Sequence, residues 1–191
     1  MQQITTTSDI LVKKNIINRV ADIPGGISMV LSTLVVGNIV PQASPVSAPT
    51  SGKRSLCKSA KINGSAASTT VFPIDEKIHN FKVGNFVCRK EGGKAYAITS
   101  ITNASGIDTV TVGTAIDADV DGWIYEATDE QATTGSTFKN QPDAILKNAF
   151  EVPSATQVIF TADALLIGVV VENCIAPAYL TKLKAITVAK Y

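Results

Sequence analysis

The apolar residues of this chain come in short runs rich in Val, Ile and Thr, each closed by Gly, Pro, Asn or Asp, a spacing that favours strands over helices almost everywhere. The candidate strands are Ile27–Val36, Ser55–Ile62, Phe86–Arg89, Ala95–Ile101, Thr109–Val112, Trp123–Glu126, Val158–Thr161 and Leu165–Glu172. Glu91-Gly92-Gly93-Lys94 offers a Gly-Gly turn between the Phe86 and Ala95 strands, and Asn103-Ala104-Ser105-Gly106 separates the latter from Thr109–Val112, so a three-stranded meander is expected here. Helix is confined to short pieces. Pro142-Asp143-Ala144-Ile145-Leu146-Lys147 carries Pro and an acid where a first turn wants them, and Pro177 to Lys184 has room for another turn or two. Residues Pro41 to Pro49, with prolines at 41, 45 and 49, read as an extended surface loop. The expected class is mostly β, an antiparallel β-sandwich or barrel with short helical turns and an extended N-terminal arm.

Bulky side chains are unevenly spread. All eleven aromatic residues lie between Phe72 and Tyr191, so the first 71 residues lack the usual core anchors and must pack on the later chain or on a partner. The division read from this is an arm over residues 1–24 and a β-rich domain over 25–191 with its Pro-rich loop at 41–49. In the arm, β-branched residues alternate loosely with polar ones, which suits a segment that is mobile alone and ordered as an added strand on a partner. Charge divides too: residues 1–94 hold 12 basic and 5 acidic groups, net +7, and residues 95–191 hold 5 basic and 11 acidic, net −6. If the halves also separated in space, copies of the chain could meet head to tail, or a basic face could dock on an acidic neighbour.

Composition removes whole classes of function. One His and three unpaired-looking cysteines, Cys57, Cys88 and Cys174, leave no zinc ribbon, multi-His metal site or complete disulfide framework. The three thiols read as small buried apolar residues. Runs such as Ile27–Val40 fall short of the ~20 residues of a membrane-spanning helix, and the interrupted layout before Val46-Ser47-Ala48 argues against a cleaved leader, which favours a protein made in the cytoplasm. An overall charge of +1 argues against a coat for nucleic acid or anionic membrane.

Individual motifs are incomplete. Asp117-Ala-Asp119-Val-Asp121-Gly122 opens like a calcium loop, but Thr128 stands where the bidentate Glu belongs, and the segment reads as an acidic turn between strands. The seven carboxylates between Asp108 and Glu130 lack the sugar-stacking aromatics of a glycosidase cleft, since Trp123 and Tyr125 share one strand face and read as core. Gly52-Lys53-Arg54-Ser55 fails as a phosphate loop at Ser47 and Arg54. His79 has no GxSxG nucleophile anywhere in the chain and reads as a polar turn residue. No catalytic residue, metal ligand or cofactor site is assigned. The candidate partner-binding residues are cations: Lys13, Lys14 and Arg19 in the arm, and Lys53, Arg54, Lys58 and Lys61 in an acid-free stretch without aromatics, where a basic strand face meeting an acidic protein is favoured over nucleic acid.

Several stretches taken together carry a family resemblance: Asp22-Ile-Pro-Gly-Gly26, Val36-Gly-Asn-Ile-Val40 leading to Ser44-Pro-Val46, Val83-Gly-Asn-Phe-Val87, Ala95-Tyr-Ala-Ile-Thr-Ser-Ile101 and Asp108-Thr-Val-Thr-Val-Gly-Thr114. Trp123-Ile-Tyr-Glu-Ala127, Phe138-Lys-Asn-Gln-Pro-Asp-Ala-Ile145 and Ile167-Gly-Val-Val-Val-Glu172 complete it over residues 22–191. In these the chain resembles the small capsid-decoration and head-fibre proteins of tailed bacteriophages, of the crAss-like phage type. The resemblance implies a β-rich, non-enzymatic protein that sits on the outside of an icosahedral shell in many copies. Its partners would be the major capsid protein and copies of itself, with a trimer the favoured closed form. It carries over no particular residue. A carbohydrate-binding or adhesion module of a bacterial surface is the alternative of a different class.

Overall fold

The computed structural model describes residues 15–63, 70–117, 122–154 and 159–189. Within them the chain forms sixteen strands and one short helix, in chain order β1 (Ile16–Asp22), β2 (Ile27–Val30), β3 (Ile39–Val40), β4 (Pro45–Ser47), β5 (Lys53–Arg54), β6 (Ser59–Lys61), β7 (Val71–Asp75) and β8 (Phe86–Cys88). There follow β9 (Ala95–Ala104), β10 (Ile107–Val112), β11 (Trp123–Ala127), β12 (Pro142–Leu146), β13 (Phe150–Glu151), β14 (Ile159–Ala162), β15 (Ala164–Val171), α1 (Pro177–Leu180) and β16 (Ile186–Ala189). The protein is mostly β, as its sequence pattern requires, and nearly all pairings are antiparallel.

One sheet runs β1-β15-β12-β4, with β16 added parallel to β15; a second runs β6-β11-β8-β9-β10-β7; and two small sheets, β13-β3 and β14-β2-β5, cover one end of the first. Alternation along single strands shows the layering. On β12, Ile145 joins a core shared with Tyr125, Cys88 and Ala95 of the second sheet, while Ala144 and Leu146 join a core with Met29 and Val40 of the small sheets. On the second sheet, Cys88 and Tyr125 face the first sheet, whereas Val87 and Ile124 face a third core with Phe72, Phe81 and Ile98. The result is a sandwich of stacked sheets. The second sheet curls round the third core until its edges touch at the Ile62–Ile74 bridge, a single contact and not a closed barrel ladder.

Local chemistry explains the elements that were legible. The β9–β10 hairpin turns through Ser105 and Gly106, both at positive φ (53° and 82°), the two-residue geometry that matches strand twist. With β8 paired to β9 and β9 to β10, the expected meander forms. Pro177 opens α1, and the buried Tyr179 ring packs edge-on against Tyr125 and Phe138 at centroid distances of 5.1 and 4.9 Å, pinning the helix to β11.

Three expectations need correction. Within residues 142–147, Pro142–Leu146 form strand β12 and not a helical turn: a Pro and an acid are weak local signals, and the segment instead buries side chains on both faces between β4 and β15. The stretch from Pro41 to Pro49 is no surface loop, because Pro45–Ser47 pairs with β12 and Ala43, Pro45 and Val46 are buried. The stretch assigned to the arm, residues 1–24, is in its described part a strand of the main sheet. Ile16 is buried, and the Gln42 side chain ties it in: its Oε1 accepts from the Asn15 and Ile16 amides at 2.8 and 3.3 Å, and its Nε2 donates to the Lys147 carbonyl at 2.9 Å. The aromatic-poor N-terminal region does pack on the later chain, with β1, β2, β3, β4 and β6 each paired to a strand beyond residue 122.

Candidate functional site

The seven cations named from the sequence do not form one face. Lys13 and Lys14 lie outside the described residues. Arg19 is exposed on β1. On β5, Lys53 and Arg54 are half-buried, and the Arg54 guanidinium donates to Asp143 at 2.6 Å and to the Ser47 carbonyl at 2.7 Å. Lys58 is corrected outright as a contact residue: only 2% exposed, its ammonium donates to Glu126 at 3.2 Å and to Asn85 at 3.0 Å. Lys61 is exposed on β6.

The two halves of the chain exchange charges in both directions across the fold. Arg54 meets Asp143, Lys58 meets Glu126, Lys147 meets Asp22 at 2.5 Å and Lys182 meets Glu91 at 2.6 Å, each pair joining one half of the chain to the other. Because the strands of the two halves interleave, so do their charges.

His79 does lie at the turn that follows β7, as its sequence setting suggests, but it is buried. Its Nδ1 accepts from the Phe81 amide at 2.9 Å, which fixes the proton on Nε2, and Nε2 donates to Asp108 at 2.8 Å. Both ring nitrogens are engaged. Burial pushes the Asp108 carboxyl up, but hydrogen bonds from His79 and Asn103 outweigh it and hold the group below the usual carboxylate range. In the acidic segment Asp119 and Asp121 lie outside the described residues. Asp117 accepts from the Lys94 amide at 2.9 Å and occupies the space a Cβ on Gly93 would need, so it braces the β8–β9 turn.

Two surface features remain. The first is the outer edge of β1, which pairs on one side with β15 and has no strand on the other among the described residues. Val20 is 63% exposed on it, and Ile17, Leu166 and Ile167 add apolar surface alongside, at 37%, 41% and 40%. The register with β15 shifts at Ile16/Asn18, Arg19/Ala21 and Ala21/Asp22. Such irregularity turns successive side chains outward and explains a run of exposure that strict alternation forbids.

The second is a cleft of about 310 Å³, walled by β6 and β11 on one side and by the turn from β15 to α1 on the other. Trp123 and Lys61 are directly opposite each other in the β11–β6 ladder and both line it, as do Asp75 at the end of β7 and Glu172 and Asn173 in the turn. Trp123 is half-buried, while Lys61, Asp75, Glu172 and Asn173 are exposed. Asn173 sits at φ 63°, a conformation that Asn tolerates better than most side chains and that shapes the turn. Asp75 is oriented by the Asn63 amide at 2.5 Å. Sequence reading placed Trp123 on the same face as Tyr125 and as core; it does pack against the core that holds Tyr125, but only in part, and its remaining surface lines the cleft. Its neighbours in the cleft come from five distant segments, and no local pattern announces them.

No family model, curated protein sequence or solved structure matches this chain.

Proposed function

We propose that this chain is a structural virion protein that binds the outer surface of an icosahedral capsid in many copies, as a decoration or head-fibre subunit. The observation that carries the reading is the outer edge of β1, which no strand of the described residues pairs, with exposed Ile17, Val20, Leu166 and Ile167 beside it. The shifted register and Arg19 guard that edge against indiscriminate pairing, while exposed Ile17 and Val20 leave apolar surface on it for a specific neighbour. Such an edge suits a protein that completes its sheet on a partner: main-chain hydrogen bonds hold the added strand and the flanking side chains select it. Arg19 gives that edge one cation for an acidic partner. Repetition over a lattice lets modest contacts hold collectively. A trimer is the favoured form of the free subunit, because exposed apolar surface shared between copies lowers its cost.

The test is co-sedimentation of the full chain with shells of its major capsid protein, wild type against an Ile17→Lys/Val20→Lys double variant. Both changes fall on exposed positions, so melting should move by no more than a few degrees while shell binding drops at least tenfold. Undiminished binding by a folded double variant removes the β1 edge as the attachment surface, and absence of binding by the wild-type chain refutes the capsid reading.

A further inference from the structure

The cleft between β6, β11 and the β15–α1 turn reaches Asn15 at the foot of β1 but is lined by none of Ile17, Val20, Leu166 or Ile167, and its chemistry points to a ligand of its own. At about 310 Å³ it stands at the small end of the range for ligand sites, about 300–1,000 Å³, which suits a compact molecule over a polymer. Its wall carries an aromatic ring, Trp123, next to groups that both donate and accept: the Lys61 ammonium and the Asn173 amide donate, and the Asp75 and Glu172 carboxylates accept. A ligand that satisfies this set needs an apolar face to cover the indole and several hydroxyls around it, each able to donate to a carboxylate while accepting from an ammonium or amide.

Charge narrows the class further. Lys61 is outnumbered by Asp75 and Glu172, and Lys58, which also touches the cleft, already has its ammonium on Glu126 and Asn85. A phosphate, sulfate or nucleotide would meet net negative potential there. A purely apolar ligand would bury the carboxylates without replacing their water. We infer that this cleft is a saccharide site, taking a short neutral glycan by stacking on Trp123 and by hydroxyl hydrogen bonds to Asp75 and Lys61. The inference goes beyond capsid attachment and stands or falls separately from it, because sugar binding is measured on the isolated chain.

The chain supplies its own probe, since Trp123 is its single tryptophan and its emission reports the cleft alone. Full-length protein is titrated with glucose, galactose, N-acetylglucosamine, lactose and cellobiose at millimolar concentrations, with calorimetry in parallel. At least one sugar should shift the emission saturably. Asp75→Asn should weaken that sugar about tenfold, as expected for one charge-assisted hydrogen bond lost, without lowering the melting temperature, because Asp75 is exposed. Trp123→Phe should retain weakened binding by calorimetry and Trp123→Ala should lose it. The inference is overturned if none of these sugars gives a saturable signal by either method, if binding survives Asp75→Asn and Lys61→Met unchanged, or if phosphate or sialyllactose binds in preference to lactose.

Discussion

Replacing Lys58 by Met removes one charge from a site where both partners are almost wholly sequestered, Lys58 and Glu126 each 2% exposed. At their separation of 3.2 Å the attraction is about 5 kcal/mol for an effective dielectric near 20. Burial takes most of this back: desolvation is the largest influence on Lys58 and, together with the nearby Lys139 and Lys82 ammonium groups, outweighs the pull of Glu126, so its pKa lies below the ordinary lysine value. The pair as a whole is therefore worth little, yet either member alone is costly. Lys58→Met leaves Glu126 with Lys139 at 3.0 Å, a partner whose side chain is 40% exposed, and the expected loss is about 3 kcal/mol, the low end of the ~3–5 kcal/mol for breaking a buried pair. In a chain of this size that is a fall of about 6–12 °C in Tm. Glu126→Leu, which strands Lys58, should cost at least as much, whereas the double variant should return to within about 1 kcal/mol of wild type. Urea unfolding of the four proteins measures the cycle. A single-variant cost under about 0.5 kcal/mol, or a double variant that loses the sum of the two, would refute the reasoning. The pH dependence supplies a sign: with the folded pKa lowered, the unfolded chain holds the Lys58 proton longer, so wild-type stability gains relative to Lys58→Met as pH climbs from the folded pKa towards 10.5.

Three further outcomes follow from the geometry. A chain truncated to begin at Gly25 lacks β1, buried Ile16 and the Gln42 tie, and should melt at least 10 °C lower or fail to stay soluble (about 3 kcal/mol or more); unchanged melting would mean that β1 is dispensable to the fold. Burial pushes the Cys57 thiol well up and the Cys88 thiol up to about 12, so a thiol reagent at neutral pH should label the half-buried Cys174 first and reach the other two only on unfolding, which peptide mass mapping reads. Because Asp117 already holds the Lys94 amide, millimolar calcium should leave Tm within about 1 °C, while Asp117→Ala should lower stability by about 1 kcal/mol; a calcium-dependent rise of many degrees would restore the metal loop.

The meander and α1 could be read from the sequence because their signals are local: a Gly-Gly turn, a Ser-Gly turn with both residues at positive φ, a Pro at a helix start. Strand β12 could not, because Pro142 and Asp143 imitate a helix start, and only the presence of β4 and β15 on either side decides for the sheet. The same holds for β4, whose prolines suggest solvent until its partner is known. Lys58 misled for a subtler reason. Leu56, Cys57 and Lys58 are consecutive and all buried, so the segment has no exposed face for alternation to reveal, and its counter-charge lies on β11. The cleft was least visible of all, with walls drawn from residues near 15, 41–45, 58–61, 75–79, 123 and 171–176.

The pairing of early strands with late ones also sets a timetable for synthesis. At about 5–20 residues per second, β1 leaves the ribosome on the order of ten seconds before β15, and β4 and β6 wait in turn for β12 and β11. Throughout that interval the nascent chain displays β1, with its Ile and Val side chains, and the shorter β4 and β6 without the strands they pair with. Non-local pairings of this kind form late and slowly. A product cut short before residue 164 keeps every one of those segments and none of the strand that organises the first sheet, so the first sheet is completed only with the last 28 residues of the chain.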